Sequence, residues 1–278
     1  MTTLDTAPTR QERPTRSRGR SLSPDKRFYP VIGTVLTLVA ILAVGEMRYG
    51  LGSGSRPFTS MRLLSNLLVD NSYLLVLAVG MTFVILTGGI DLSVGAVVAL
   101  VGLVTAKMFL AGASLPVVLV TGVLVGSLCG LLIGILVQVF DIQPFIASLA
   151  VMFLARGLAN VVSVQSLPID DPGFSALAAW ALKFGEGRGS WRINASMVIA
   201  FVVLAIGGQA VRLMGLDAGR TRMLVYVISG TCAGIAGILF ALYTKSGFNL
   251  TGIGMELDAI ASVVIGGTLL AGGYGFVL

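Results

Sequence analysis

The chain has no histidine, only two cysteines and only four lysines among its 278 residues. Without histidine it lacks an imidazole base and the commonest side-chain ligand for metal ions. Cys129 and Cys232 each stand alone in an apolar stretch, so we predict neither a disulfide framework nor a metal site. No lysine follows the Gly-x-x-x-x-Gly spacing of a phosphate-binding loop. We therefore expect no enzyme activity and no cofactor, and any energy source must be a separate subunit or an ion gradient.

Charge is also scarce, because charged residues make up only 12% of the chain whereas soluble domains carry about 25%. Hydrophobic residues make up 55%, and the mean hydropathy is +0.94. Backbone groups in lipid must be satisfied within their own segment, so long apolar runs are interpreted as membrane helices. The predicted fold class is all-α, a polytopic transmembrane helix bundle. We count about eight candidate spans, at residues 28–45, 63–86, 94–110, 115–140, 144–162, 195–211, 223–243 and 257–278.

Glycine is abundant, with 36 residues, and several glycines recur at helical spacing. Small residues let membrane helices approach closely, so these repeats predict helix–helix contacts. The repeats are Gly126, Gly130 and Gly134 in one run, and Gly230, Gly234 and Gly237 in another.

The first 27 residues form a basic tail that holds seven of the nineteen lysines and arginines. A basic segment directly before an apolar helix is typical of the positive-inside signal, so we predict a cytoplasmic tail rather than a nucleic-acid-binding arm. The first apolar run also has features of a signal-peptide core, but the long basic region and the further spans favour an uncleaved helix. We thus divide the chain into a disordered cytoplasmic tail at 1–27 and a transmembrane domain at 28–278.

One carboxylate, Asp91, lies within an apolar run of membrane-spanning length. An aspartate at the centre of a lone membrane helix costs about 2.5 to 3.5 kcal/mol, so Asp91 should have a polar partner or water. Gly88 and Gly89 weaken the preceding helix, while Asp91 and Ser93 are N-cap types for a helix beginning near Val94. Two compatible interpretations remain open: a capped helix break, and a polar site on a transport pathway.

A second glycine-interrupted segment matches the first. Residues 87–95 read TGGIDLSVG and residues 265–273 read IGGTLLAGG, which aligns Gly88 with Gly266 and Gly89 with Gly267. Such segments in corresponding positions of two halves indicate an internally repeated transporter fold. The second copy lacks the aspartate, but Glu256 and Asp258 stand just before it.

Three stretches of the sequence resemble motifs of one protein family, in the same order. The stretches are GMTFVILTGGIDLSVG at 80–95, QPFIASL with MFLARG between 143 and 157, and MELDAIASVVIGGT at 255–268. They are similar to permease subunits of bacterial ABC sugar importers of the ribose type. Within that family, Asp70-Asn71 and the SLPI stretch at 166–169 are most like the galactofuranose type.

The resemblance implies an inner-membrane, multi-pass permease for a monosaccharide. In such importers two permease subunits, identical or paralogous, form the path, two cytoplasmic ATPase subunits drive it, and a periplasmic sugar-binding protein delivers the substrate. The family's cytoplasmic segment corresponds to residues 207–216, which would dock on the ATPase. Its candidate contacts are Ala210, Arg212, Leu213, Met214 and Gly215.

The remaining candidates are polar residues on apolar helices. Asn71, Gln143 and Asn160 join Asp91 and Ser93 as candidates for the translocation path, although each also suits an interhelical hydrogen bond. Glu256 and Asp258 are candidates for the periplasmic face.

Two departures from the family pattern leave alternatives open. A basic, aromatic-containing turn expected before residue 207 is missing, and the chain stops inside an apolar run at Leu278. From the sequence alone we expect a truncated gene product, which would include the possibility of a non-transporting remnant. A different alternative is an ion-coupled secondary transporter in which Asp91 binds the coupling proton or cation.

Overall fold

The computed structural model describes residues 29–50, 60–185, 190–213 and 218–268. The basic tail at 1–27 lies outside the described residues. Helices account for most of the described chain, as predicted for an all-α membrane protein. They are α1 (Tyr29–Gly45, continued by a π-helical turn at Glu46–Gly50), α2 (Met61–Asp70), α3 (Ser72–Leu86), α4 (Val94–Leu110), α5 (Leu115–Gln138), α6 (Pro144–Val162), α7 (Pro172–Ala179), α8 (Ala195–Leu213), α9 (Ala218–Thr244) and α10 (Met255–Ile265).

Four described helices are long and apolar enough to cross a membrane, and a bent pair raises the number to five. The four span Ile32–Tyr49, Leu115–Gln138, Pro144–Val162 and Arg222–Thr244. Val94–Leu110 and Ala195–Gly208 are apolar but shorter. The polytopic helical architecture is confirmed, while the predicted total of about eight spans stays a prediction.

Two predicted spans differ in shape from the expectation. The run at 63–86 is not one helix, because α2 and α3 meet at an angle of 55° around Asn71. Ser72 donates its hydroxyl hydrogen to the Val69 carbonyl at this bend. The last predicted span begins as α10, which ends at Ile265, and residues 269–278 lie outside the described residues.

Helix α9 is the centre of the bundle and packs against α3, α4 and α5. Its contact with α5 brings two backbones together at glycines: a Cβ on Gly126 would overlap the Gly230 carbonyl, and one on Gly230 would lie 2.7 Å from the Cα of Gly130. Gly80 of α3 packs in the same way against Ser229 and Cys232. The prediction that glycine repeats mark close helix contacts is confirmed for the α5–α9 pair.

Residues 163–194, expected as a loop, contain secondary structure of their own. Helix α7 is followed by a hairpin of β2 (Ala181–Phe184) and β3 (Trp191–Asn194), which pair in antiparallel register. Two shorter strands, β1 (Leu167–Pro168) and β4 (Ser246–Gly247), pair beside α4. Ser65 of α2 fastens the hairpin, because its hydroxyl donates to the Arg192 carbonyl at 2.6 Å and accepts from the Arg192 N–H at 2.9 Å.

We predict that Ser65→Ala loosens this hairpin without unfolding the bundle. Ser65 is fully buried, so the substitution leaves two backbone groups of Arg192 without a partner, at a cost of about 1 to 3 kcal/mol each. Amide hydrogen exchange of the strands at 181–184 and 191–194 should rise by at least about tenfold while exchange in α5 and α9 stays unchanged. Unchanged exchange in both strands would show that the Ser65 contact does not hold the hairpin.

Candidate functional site

The helix break predicted around Asp91 has a definite backbone geometry. Helix α3 ends at Leu86 and α4 begins at Val94. Gly88 has a φ of 74°, a left-handed conformation that glycine adopts without steric cost. The Gly89 N–H donates to the Val84 carbonyl at 3.0 Å, the hydrogen bond of a Schellman cap. Gly89 also passes directly under the Tyr226 hydroxyl of α9, where a Cβ would overlap it.

Asp91 is completely buried and accepts hydrogen bonds on both carboxylate oxygens. Its Oδ1 accepts from the Ser93 N–H at 2.9 Å and from the Ser93 hydroxyl at 2.7 Å. Its Oδ2 accepts from the Ser229 hydroxyl of α9 at 2.8 Å. The expected polar partners are therefore Ser93 nearby in the chain and Ser229 far from it, and the carboxylate ties the helix break to the central helix.

The capping arrangement differs in detail from the prediction. Ser93 occupies the N-cap position of α4 but its side chain accepts no capping hydrogen bond. Its hydroxyl instead donates to Asp91, which accepts from the N–H of Ser93 rather than from an N–H inside α4. Asp91 thus accepts a backbone N–H at the start of α4, as predicted. The prediction that Ser93 caps the helix was wrong, because the buried carboxylate takes the serine hydroxyl as a donor.

A cavity of about 480 Å³ opens beside this break at the start of α9. It is lined by Gly88 and Gly89, by Arg222 and Tyr226 of α9, and by the turn between α5 and α6. Gln143 lies in that turn, exposed, at the N-cap position of α6. The structure therefore brings Gln143, a predicted path residue, to the same cavity as Gly88 and Gly89, the predicted helix-break pair.

The opposite end of α9 borders a second cavity of about 320 Å³. Charged residues of both signs line it: Asp70, Arg192 and Lys245. Lys245 has a φ of 51°, an uncommon backbone conformation for a residue with a side chain. Asn71 lies next to this region at the α2–α3 bend, exposed, and its side-chain amide donates to the Leu67 carbonyl at 2.8 Å.

Asn160 lies away from Asp91, on α6, and faces the connection between α9 and α10. Its Oδ1 accepts from the Asn249 side chain at 2.6 Å. One turn earlier, Arg156 Nη1 donates to the carbonyls of Asn249 and Thr251 at 2.7 and 2.6 Å. The sequence analysis did not select Arg156, because nothing local indicates that a residue 93 positions away supplies its acceptors.

The two acidic candidates before the second glycine pair differ in their surroundings. Glu256 is half-buried, and its Oε1 accepts from the Gly254 N–H at 3.3 Å. Asp258 is exposed, one turn into α10.

The second glycine pair ends α10 much as the first ends α3. Gly266 is the C-cap, Gly267 has a φ of 103°, and the Thr268 N–H donates to the Val263 carbonyl at 3.2 Å. This is the same hydrogen bond as that of Gly89 to Val84, so Gly267 corresponds to Gly88. The structural correspondence is thus one residue further along the chain than the sequence alignment of Gly88 with Gly266.

The predicted ATPase-docking residues cannot be placed by their contacts. Ala210, Arg212 and Leu213 belong to α8, but their side chains lie outside the described residues, as do Met214 and Gly215 entirely. Within the part of the chain that the structure describes, no group of three or more acidic or cysteine side chains could hold a metal ion.

Comparison with known proteins identifies the family. The family described as "Branched-chain amino acid transport system / permease component" matches residues 63–277. The fructose import permease protein FruG of Bifidobacterium longum is 37% identical, over 91% of this chain and 79% of that protein. The galactofuranose transporter permease protein YtfT of Escherichia coli is 41% identical, over 71% of this chain and 62% of its own length. The ribose import permease protein RbsC of Haemophilus influenzae is 36% identical, over 91% of this chain and 81% of that protein.

No solved structure matches the chain. The family match at residues 63–277 nevertheless extends over the helix break, the central helix α9 and the Arg156 region, and all three relatives are named as permeases. The resemblance to permeases of ribose-type ABC sugar importers is confirmed, and members of this family are transporter subunits rather than enzymes. The chain belongs to this family of polytopic membrane permeases and is a permease subunit of an ABC importer.

Proposed function

We propose that the substrate of this permease is a monosaccharide, although the family description names branched-chain amino acids. The observation that carries the proposal is that relatives named for fructose, galactofuranose and ribose align over most of this chain at 36–41% identity. A neutral sugar is recognised by hydroxyl, amide and carboxyl groups, which are the polar groups found on these helices.

The path in this proposal runs past the helix break at Asp91. A charged side chain within a membrane bundle usually faces the bundle interior or a water-filled cavity, and half-helix ends of broken helices are where transporters place their sites. Asp91 meets the first expectation, since it is buried against Ser229, and the 480 Å³ cavity next to Gly89 provides an opening. Gln143 and Ser93 belong to the same end of the path.

The orientation in this proposal places the tail and the start of α9 in the cytoplasm. The tail carries seven basic residues, and Arg212, Arg220 and Arg222 cluster around the start of α9. An excess of arginine and lysine on one side is the positive-inside signal. The hairpin β2–β3 and the 320 Å³ cavity then face outward, together with Asp258.

ABC importers work with ATPase and substrate-binding partners, and in our proposal the ATPase docks at residues 207–216. Helix α9 begins directly after this segment and continues without interruption to Thr244. Because the Ser229 hydroxyl of α9 is hydrogen-bonded to Asp91, a movement of the start of α9 would be transmitted directly to the helix break. A second permease subunit, identical or paralogous, and a periplasmic sugar-binding protein complete the proposed assembly.

Uptake assays that identify the substrate and the source of energy test this proposal. We expect cells that carry this chain to take up radiolabelled sugar from a panel of D-ribose, D-fructose, D-galactose and D-allose, and to lose that uptake when the gene is deleted. Depletion of ATP by arsenate should abolish uptake, whereas a protonophore that leaves ATP intact should not. Uptake that requires the ion gradient but not ATP would support the alternative of an ion-coupled secondary transporter. Uptake of leucine or valine but of no sugar in the panel would refute the proposal that the substrate is a monosaccharide.

A further inference from the structure

A polar cluster between α6 and the α9–α10 connection is not explained by the helix break. It consists of Arg156 and Asn160 on α6, Asn249 on the facing segment between α9 and α10, and Glu256 in the first turn of α10; we call it the Arg156 cluster. Arg156 lies six residues before the end of α6, about 9 Å along the helix axis at 1.5 Å per residue. Arg156 is therefore within a candidate membrane span rather than in a surface loop, and Asn160 lies nearer the end of the same span.

The facing segment is non-helical backbone packed against the bundle, with Leu250 and Ile253 exposed. Between the end of α9 at Thr244 and the start of α10 at Met255, it lies directly on the backbone of α4. A Cβ on Gly247 would lie 2.8 Å from the Cα of Leu103, and one on Gly252 would overlap the Gly95 carbonyl. Arg156 holds its other side through the carbonyls of Asn249 and Thr251. Irregular backbone at this depth occurs only where it is buried in protein or lines a water-filled cavity.

The cluster retains hydrogen-bonding capacity that the protein does not use. Arg156 uses only Nη1 for its two carbonyls, at 2.7 and 2.6 Å. The Oδ1 of Asn249 is buried without a partner, and Asn160 uses only its oxygen. Glu256 lies near enough to interact electrostatically with Arg156, and a Cβ on Gly95 would overlap its Oε2. The cluster thus holds donors that make no hydrogen bond within the protein and one buried acceptor without a partner.

The polar groups of the cluster share a face of α6 with the exposed apolar side chains of Phe153 and Val161. Asn160 is exposed, Arg156, Asn249 and Glu256 are half-buried, and the space around Gly157 is open to 4 Å. Charged and amide groups at this depth avoid hydrocarbon and face an aqueous path or protein. Two carboxamides, a guanidinium and a carboxylate together match the adjacent hydroxyls of a sugar ring, each of which donates and accepts.

We propose that the Arg156 cluster is a site at which the hydroxyl groups of a monosaccharide bind inside the translocation path. The proposal rests on the proposed sugar-import function and adds residues that act on the substrate there. Asn160 and Glu256 contact the sugar, and Arg156 also positions the segment that carries Asn249.

Cysteine labelling tests whether the cluster faces water. In the full chain with Cys129→Ala and Cys232→Ala, kept in its native membrane, Gly157→Cys places a thiol beside Arg156 without a steric clash. Its matched control is Val120→Cys, five residues after the start of α5 as Gly157 is five residues before the end of α6, at a side chain that is 58% exposed among apolar neighbours. We expect a membrane-impermeant sulfonated maleimide to label Gly157→Cys and not Val120→Cys, and the transported sugar from the panel above to slow the labelling.

Sugar uptake by the Asn160→Ala variant provides a second test of the proposed site. We expect its maximal uptake rate to fall by about tenfold, the effect of one lost hydrogen bond to a ligand. Ser127→Ala is the control, because it removes another side-chain hydrogen bond between helices, from Ser127 to Thr231 at 2.8 Å, away from the cluster. Its uptake should stay within about twofold of the unsubstituted chain.

The outcomes separate this proposal from the function on which it rests. If Gly157→Cys resists labelling as Val120→Cys does, or if the sugar leaves its labelling unchanged, the cluster is not a sugar site even though uptake by the unsubstituted chain continues. Equal reductions of the maximal uptake rate in Asn160→Ala and Ser127→Ala would likewise show that Asn160 has a structural role and does not bind the sugar. Absence of any ATP-dependent sugar uptake by the unsubstituted chain would overturn both proposals.

Discussion

Gly126→Leu is expected to prevent the protein from accumulating in the membrane. A Cβ at Gly126 would lie 2.6 Å from the Cα of Gly234 and would overlap the Gly230 carbonyl, so helices α5 and α9 would have to separate. Neither backbone can move independently, because α9 also packs against α3 and α4. Overpacking costs about 1 to 3 kcal/mol where neighbours can adjust, and a larger cost is expected here because the obstacle is backbone.

The measurement is the amount of monodisperse protein extracted in mild detergent, followed by fluorescence from a fused reporter. Gly33→Leu is the matched control, because a Cβ at Gly33 of α1 meets nothing within 4 Å. We expect a loss of at least about tenfold for Gly126→Leu, corresponding to more than 1.4 kcal/mol, and no loss for Gly33→Leu. Normal accumulation of Gly126→Leu would show that the α5–α9 contact is looser than the structure indicates.

Asp91→Asn is expected to abolish most transport while the protein still inserts and assembles. The amide keeps the shape of the carboxylate but places an NH₂ group where an oxygen accepts from Ser229 or Ser93. Hydrogen bonds to charged groups contribute about 1.5 to 3 kcal/mol, so the tie between the helix break and α9 weakens. Uptake should fall by at least about tenfold, while ATP hydrolysis by the assembled importer continues.

Controls for Asp91 separate transport from folding. Asp170→Asn changes an exposed carboxylate of the connection after α6 and should leave uptake unchanged. Asp91→Leu, which leaves three hydrogen-bond donors unpaired in the bundle, should in addition reduce the amount of protein. If Asp91→Asn transports at the normal rate, the carboxylate is a dispensable cap and the path is elsewhere.

Local pattern predicted the elements of this fold better than their assembly. The run at 144–162 was predicted with the bounds that α6 has, because Pro144 starts the helix and apolar residues fill it. The break at Gly88 and Asp91 was predicted because a glycine pair and a carboxylate conflict with a continuous membrane helix. The bend at Asn71 was missed, because the apolar stretches before Asp70 and after Ser72 were treated as one span despite the three polar residues between them.

The sequence did not predict which residues on different helices would form hydrogen bonds with each other. Nothing near Asp91 distinguishes Ser229 from other serines, because the two meet only when α9 packs into the centre of the bundle. The candidates Asn71, Gln143 and Asn160 were chosen as polar residues on apolar helices, and the structure separates them: one at the α2–α3 bend, one at the 480 Å³ cavity and one beside Arg156. The spacing of residues along a helix predicts which of them share a face. Which other helix or segment packs against that face depends on the topology of the whole bundle.

Co-purification from the native membrane tests the central claim, that this chain is the permease subunit of an ATP-driven importer. The tagged full chain is extracted in mild detergent, and the associated chains are identified by mass spectrometry together with the intact mass of the complex. The account predicts an ABC ATPase and a second permease subunit bound to a chain of 28.9 kDa. Recovery of the intact chain without an ATPase, from cells in which sugar uptake is active and requires this gene, would contradict it.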